Sequence, residues 1–105
     1  MIFQMGAQLL DACVLASLQK EDAYGYMLTQ NVKEYIDVSE STLYPVLRRL
    51  EKDSSLTAYD VPFNGRNRRY YKLTDHGKQK FREYVTEWHE YKQTVDKILE
   101  VRLDD

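Results

Sequence analysis

The sequence has few of the features that mark secreted, membrane-spanning or metal-binding proteins. Cys13 is the one cysteine among 105 residues, so no internal disulfide can form and we expect a reducing, cytoplasmic location. No apolar run is long enough to cross a bilayer, which predicts no membrane partner. Residues 1–6 lack the basic start and the apolar block of a signal peptide. His76 and His89 have no cysteines or carboxylates around them at metal-site spacing.

Motifs for enzymatic chemistry are missing as well. The sequence contains no glycine loop of the kind that binds phosphate and no nucleophile motif. We therefore expect a protein that is not an enzyme and that needs no cofactor or metal.

Positive charge is concentrated in one third of the chain. The formal net charge is −2, but residues 48–82 carry ten lysines and arginines against four acids, a net charge of +6. Residues 1–47 and 83–105 each carry a net charge of −4. A local basic surface matters more to a polyanion than the total charge does. The distribution therefore favours a nucleic-acid partner.

Residues 39–52 have the pattern of an amphipathic helix with a basic front. One apolar stripe recurs at helical spacing and consists of Leu43, Val46, Leu47 and Leu50. The opposite side carries mostly polar and cationic residues, which are Ser41, Tyr44, Pro45, Arg48, Arg49 and Lys52. Such a front suits a DNA groove, although an ordinary solvated surface helix would show the same pattern.

Two predicted helices precede this one. Residues 8–18 are apolar on nearly every side, which predicts a helix buried in the domain centre or against a second subunit. Residues 24–36 form the second, with an inward stripe of Met27, Leu28, Val32, Tyr35 and Ile36. A short turn before the basic helix makes a helix-turn-helix. Either Ser39 or Ser41 is the N-cap of the basic helix; Ser39 would place Pro45 deep enough to bend it.

Two strand-like segments follow the basic helix. Residues 56–61 and 68–73 are rich in β-branched and aromatic side chains. Between them, Asn64 and Gly65 form the strongest short hairpin signal, because a type I′ turn needs positive φ at both central positions.

The hairpin predicted from that turn has a defined register and a basic tip. Pairing outward places Leu56 opposite Leu73 and Ala58 opposite Tyr71, all on one face. The tip and the returning strand carry Arg66, Arg68 and Arg69. The charges suit a wing that contacts phosphates, although they could also serve only to keep an exposed hairpin soluble.

A long helix is predicted after Thr74, which is a good N-cap residue. Its apolar and aromatic positions repeat every seven residues, at Phe81, Tyr84, Trp88, Tyr91, Val95 and Ile98. This stripe predicts self-association, the alternative being that the helix folds back on its own domain.

These motifs resemble the PadR family of bacterial transcriptional regulators. The similarity lies in Tyr24-Gly-Tyr, in residues 41–51 with their Thr-Leu-Tyr-Pro core, and in residues 68–74 followed by Gly77. It implies a mainly α fold with a β-hairpin (α+β), namely a winged helix-turn-helix in residues 1–74. Residues 75–105 would be the single dimerisation helix of the small PadR subgroup, within the same compact unit.

The resemblance implies a homodimeric repressor that binds an inverted-repeat operator in double-stranded DNA. The residues expected at the DNA are Tyr24, Ser41, Thr42, Tyr44, Pro45, Arg48, Arg49, Lys52, Asn64, Gly65, Arg66 and Arg68. The residues expected in the dimer interface are Leu10, Val14, Phe81, Trp88, Tyr91, Val95 and Ile98. The alternative function is a winged-helix module that binds a protein or a small molecule without specific DNA binding.

The resemblance also raises a ligand hypothesis. Trp88, with Tyr84 and Tyr91, is the candidate site for a planar aromatic small molecule that would release the repressor from DNA. The alternative is that Trp88 is simply part of the interface core.

The chain departs from the family pattern at two glycines. Ser41 replaces the glycine usual before Thr-Leu-Tyr-Pro, and residues 53–55 lack the glycine usual after Leu-Glu-Lys. The basic helix must therefore end without its favoured left-handed glycine.

Overall fold

The structure, a computed structural model, describes residues 7–104 and the side chains of residues 8–100. Helices and strands follow one another as α1 (Ala7–Ser17), β1 (Ala23–Tyr24), α2 (Gly25–Lys33), α3 (Glu40–Lys52), β2 (Leu56–Phe63), β3 (Arg66–Leu73) and α4 (Asp75–Asp104). The predicted mainly α fold with a β-hairpin is confirmed.

The core forms where the leucine side of α3 meets the first two helices. Leu43, Leu47 and Leu50 of α3 are fully buried, together with Leu15 of α1 and Leu28 of α2. Burying each leucine contributes about 1.5–3 kcal/mol. The basic helix is therefore held by its apolar back, which leaves its front free of the core.

Helix α3 begins with Ser39 as its N-cap. The Ser39 hydroxyl oxygen accepts a hydrogen bond from the backbone N–H of Thr42 at 3.2 Å. Of the two capping serines considered, Ser39 is the one used, so Pro45 lies inside the helix. Because proline has no N–H, the carbonyl of Ser41 loses its usual helical donor at that point.

Helix α3 ends in a Schellman motif built without glycine. The backbone N–H of Ser55 donates to the carbonyl of Leu50 at 2.9 Å, and that of Ser54 donates to the carbonyl of Glu51 at 3.1 Å. Ser54 has a φ of 67°, the left-handed conformation that glycine usually supplies at this position. The Asp53 carboxylate supports the turn by accepting from the N–H of Ser55 at 3.0 Å.

The hairpin has the predicted register. Leu56 pairs with Leu73 and Ala58 pairs with Tyr71, as the turn signal required. The central Asn and Gly of the turn have φ values of 51° and 76°, which fit a type I′ turn. Both strands extend to the turn, two residues further than predicted.

The sheet has a third strand that was not predicted from the sequence. Ala23 and Tyr24 pair antiparallel with Tyr71 and Tyr70, which makes β3 the central strand. The predicted second helix therefore starts one residue later, at Gly25.

The predicted inward stripe of α2 is partly wrong. The helix ends at Lys33 rather than at residue 36. Leu28 and Val32 are buried, but the side chain of Met27 is exposed and that of Tyr35 is 84% exposed. Once the chain leaves the helix, Tyr35 no longer follows the helical periodicity that placed it inside.

Thr74 caps α4, as predicted, and joins it to the end of α3. The Thr74 hydroxyl accepts from the N–H of Gly77 at 2.9 Å and donates to the carbonyl of Ser54 at 2.6 Å. The start of α4 is thereby fixed against the α3 terminus. None of the helices in the described part of the chain is long and apolar enough to cross a membrane.

Candidate nucleic-acid interface

The front of α3 is an exposed surface with unpaired cations. Ser41, Pro45, Arg48 and Lys52 are all exposed on the side away from the leucines, and Thr42 is exposed beside them. Neither Arg48 nor Lys52 forms an ion pair with any residue in the described part of the chain. This front can therefore offer two cations to a polyanion, and the hydroxyls of Ser41 and Thr42 each share a hydrogen bond of 2.9 Å with the hydroxyl of Ser39.

Arg48 and Arg49 were predicted to lie together on the front of α3, but the structure separates them. The guanidinium of Arg49 is turned back to α1, where it forms an ion pair with the carboxylate of Asp11. Asp11 is only 4% exposed, and a buried carboxylate needs a cationic or hydrogen-bonding partner. Arg49 thus helps to hold α3 on α1, although its own side chain remains about half exposed.

A second ion pair holds the other flank of α3. The guanidinium of Arg69 on β3 donates to the carboxylate of Glu51 at 2.7 Å. That hydrogen bond, with the negative charge of Glu51, raises the pKa of Arg69 above its ordinary value. Helix α3 is therefore fixed to α1 on one side and to the hairpin on the other.

Tyr44 supports the helix more than it extends the front. Its ring is half-buried and packs over Gly25, where an added Cβ would lie 3.4 Å from the ring edge. Of the residues predicted at DNA on α3, Tyr44 thus packs on α2 and Arg49 forms an ion pair with α1.

The hairpin presents Arg66 and Arg68 on the face opposite to that of Arg69, because side chains alternate along β3. The Arg68 guanidinium lies 3.6 Å from the ring centre of Phe63 and 4.4 Å from that of Tyr24. Arg66 is exposed next to the turn, whose Asn64 and Gly65 are exposed as well. The predicted wing residues are therefore brought together, with Tyr24 lying beside Arg68.

Three tyrosines pack together on that face, and two of them, Tyr59 and Tyr70, were not among the predicted site residues. Tyr70 stacks on Tyr59 with ring centres 5.6 Å apart, and its other neighbour is Tyr24 at 5.6 Å. The Tyr59 hydroxyl donates to Asp22 at 2.6 Å, and that hydrogen bond raises the pKa of Tyr59. Alternation along β3 places Tyr70 on the same face as Arg68, a signal that could have identified it.

The residues expected in a dimer interface fall into two groups. Leu10 and Val14 are buried in the core of the chain itself, and Phe81 is partly buried against that core. The core of the chain itself therefore already surrounds Leu10 and Val14. Further along α4 the apolar stripe is exposed to solvent. Tyr91 is 63% exposed and Val95 is half-buried. The other exposed apolar side chains include Val85, Trp88, Ile98 and Leu99.

An apolar groove runs between α1 and α4. Its volume is about 230 Å³, and its lining residues are Leu9, Ala12, Cys13, Ala16, Phe81, Tyr84, Val85 and Trp88. Two of the three predicted ligand residues line it, whereas Tyr91 lies outside with its ring centre 6.4 Å from that of Trp88. Burial raises the pKa of the Cys13 thiol, which keeps the groove uncharged at that point.

Comparison with known proteins agrees with this geometry. Residues 14–83 match the model of the transcriptional regulator PadR-like family. A structure from Streptococcus mutans is 41% identical with a TM-score of 0.86, and the match covers 95% of this chain and 94% of that one. A PadR family transcription regulator from Clostridium difficile is 30% identical with a TM-score of 0.79, covering 86% and 97%.

One similar structure contains DNA. It is Bacillus subtilis PadR in complex with operator DNA, 26% identical to this chain with a TM-score of 0.68. The match covers 73% of this chain and 46% of that one, so the shared part is less than half of the DNA-bound protein.

Proposed function

Because the chain belongs to the PadR-like family of transcriptional regulators, we propose that it is a homodimeric repressor that binds an inverted-repeat operator. The observation that carries this proposal is the exposed front of α3, where Arg48 and Lys52 have no acidic partner among the described residues. A regulator of this kind is not an enzyme, and its activity is the occupation of DNA.

Helix α3 enters the major groove in this proposal. Arg48 has the planar fork that can bind guanine or a phosphate in two places, whereas Lys52 acts as a point charge toward phosphate. Ser41 and Thr42 contact the DNA backbone or a thymine methyl group. The operator complex of the Bacillus subtilis relative supports this use of the shared fold.

The hairpin serves as the wing. Arg66 and Arg68 lie next to the turn on one face of the sheet and bind the phosphates that flank the major-groove contact, or enter the minor groove. Tyr24 takes part by holding Arg68. Arg49 and Tyr44, which pack against other elements, contribute less to the DNA contact than Arg48 does.

Residues 75–105 carry the dimer contact in this proposal. The apolar side chains that are exposed on α4 form a stripe that nothing in the described part of the chain covers, and a second copy of the helix would bury it. Two α3 helices in such a dimer are expected about 34 Å apart, which is one turn of DNA. The binding site is then an inverted repeat.

The groove between α1 and α4 is the proposed ligand site. Trp88 and Tyr84 would stack a planar aromatic compound, and its binding would release the repressor from DNA. Titration with planar dyes while following the fluorescence of Trp88 tests this part. If no dye quenches this fluorescence, Trp88 is part of the interface core and not a ligand-binding residue.

The central experiment is selection of bound sites from random DNA duplexes, followed by affinity measurements over a range of salt concentrations. We expect enriched sites with two-fold symmetry and an affinity that falls steeply as salt is added. Enrichment without symmetry would contradict the dimer. Failure to enrich any sequence would contradict specific DNA binding and favour a protein-binding winged helix.

A further inference from the structure

One buried carboxylate joins three helices of the chain. Asp11 on α1 uses both of its oxygens, and each oxygen has a partner on a different helix. Oδ1 accepts from the guanidinium of Arg49 on α3, and Oδ2 accepts from the hydroxyl of Tyr84 on α4 at 3.2 Å. The three residues are far apart in the sequence, at separations of 38 and 73 positions.

The burial of Asp11 makes both contacts matter. A carboxylate that is 4% exposed has little water to replace a lost partner, so the position of each partner depends on the other. Burial, together with the negative charge of Asp11, raises the pKa of Tyr84, and the hydroxyl therefore remains a donor over the physiological range. Moving Tyr84 disturbs Asp11, and moving Asp11 disturbs Arg49.

Tyr84 and Arg49, the two partners of Asp11, each lie near a surface with a proposed role. Tyr84 lines the groove between α1 and α4, and it belongs to the stripe on α4. Arg49 is adjacent to Arg48 on α3, whose front is the proposed DNA surface. Because hydrogen bonds weaken as their distance and angle change, a displacement at one end alters the geometry of the hydrogen bonds at the other.

We infer that Asp11 is a positioning residue that couples α4 to the DNA-contacting helix α3 through Tyr84 on one side and Arg49 on the other. Whatever packs in the groove or along α4 then changes DNA affinity by moving Tyr84. This inference rests on the proposed DNA binding and adds the route by which that binding is regulated.

A double-mutant cycle tests the coupling. Tyr84→Phe removes only the hydroxyl, and its effect on the affinity for a selected duplex is measured by fluorescence anisotropy in wild type, in Arg49→Gln, in Arg49→Lys and in Asp11→Asn. Circular dichroism at the same temperature selects the backgrounds that are folded. The matched control is Tyr35→Phe, which removes the same hydroxyl from a ring that is 84% exposed and lies outside the proposed DNA surface, the groove and the α4 stripe.

We expect Tyr84→Phe to weaken DNA binding about fivefold in wild type and by a similar factor in Arg49→Lys, which keeps the charge. In Arg49→Gln and in Asp11→Asn the same change should have an effect below about 1.5-fold, because the path is already broken. Tyr35→Phe should leave the affinity unchanged.

Equal losses in all backgrounds would overturn the inference, because they would show that Tyr84 acts independently of Asp11 and Arg49. So would a wild-type affinity that does not respond to Tyr84→Phe. Either result leaves DNA binding by the wild type intact. Failure of the proposed function itself would instead be seen as a wild type that binds no selected duplex.

Discussion

A methyl group added to Gly77 would lie 2.1 Å from the carbonyl oxygen of Ser55. The same oxygen accepts a hydrogen bond from the backbone N–H of Thr74 at 3.1 Å. The first turn of α4 therefore rests directly on the backbone that ends α3. Any side chain at residue 77 would force the two helices apart.

Gly77→Ala is expected to destabilise the chain by about 3 kcal/mol, because the obstacle is backbone and not the end of a flexible side chain. Urea unfolding followed by circular dichroism measures the change. Lys78→Ala, at the exposed neighbouring position, is the control and should change the free energy of unfolding by less than about 0.5 kcal/mol. Equal stabilities for the two variants would contradict the close approach.

Ser54→Gly should stabilise the chain. Ser54 has a φ of 67°, which costs about 1 kcal/mol for a residue with a Cβ and little for glycine. We expect a gain of about 1 kcal/mol in the free energy of unfolding, measured in urea. Ser54→Ala keeps the Cβ and should give no gain, so stabilisation by alanine as well would rule out backbone strain as the cause.

The ion pair between Asp53 and Lys80 should produce an acid-dependent stability. Burial alone would raise the pKa of Asp53, but the hydrogen bonds from Lys80 and Ser55 outweigh it and lower that pKa. A lowered pKa in the folded state stabilises the fold above about pH 4, the range where the unfolded carboxyl is ionised, and this stabilisation is lost as the pH falls.

Lys80→Gln should therefore lower the free energy of unfolding at pH 7, and its difference from wild type should narrow below about pH 4. Urea unfolding at pH 7 and at pH 2.5 compares the two proteins. Lys92→Gln, an exposed substitution on the same helix, should give a similar small difference at both pH values. A gap for Lys80→Gln that does not change with pH would exclude Asp53 as its origin.

Arg48→Ala should weaken operator binding by about 1–3 kcal/mol. The substitution removes an exposed guanidinium that forms no ion pair with any acid in the described part of the chain. A gel-shift titration at fixed salt measures the affinity. The control, Lys97→Ala, also removes one positive charge but lies far along α4, and it is expected to have little effect on the affinity. Unchanged affinity in Arg48→Ala would reject the role of Arg48 in DNA binding.

Ile98→Asp should break the proposed dimer, because an unpaired carboxylate would be buried between two apolar stripes. We expect the dimer dissociation constant to rise at least about tenfold, which sedimentation velocity over a range of concentrations would detect. Gln93→Asp introduces the same charge on the opposite side of α4 and should remain dimeric. If both variants lose the dimer, the added negative charge, and not the apolar stripe, explains the dissociation.

The parts of the fold that depend on neighbouring residues could be predicted from the sequence. The pairing of Leu56 with Leu73 follows from the turn and from strand alternation. The apolar back of α3 follows from helical spacing, and the Thr74 cap from its side chain. Each of these features is decided by a pattern within one helix, one cap or one hairpin.

Features that depend on distant residues could not be predicted. Arg48 and Arg49 are neighbours of the same type in the sequence. The residue that distinguishes them is Asp11, which binds Arg49 and lies 38 positions away. Strand β1 has two residues, too few for a pattern, and exists because β3 offers it an edge. An apolar helix such as α1 can face a core or a partner, and spacing alone does not distinguish them for Val14.

Arg68 lies against the rings of Phe63 and Tyr24 through contacts within the chain itself. A free arginine side chain has about 2 kcal/mol of rotamer entropy to lose on becoming fixed. Arg68 has already given up much of that freedom during folding. In the proposed DNA complex, a phosphate contact made by Arg68 would therefore cost less conformational entropy than the same contact made by the more exposed Arg66.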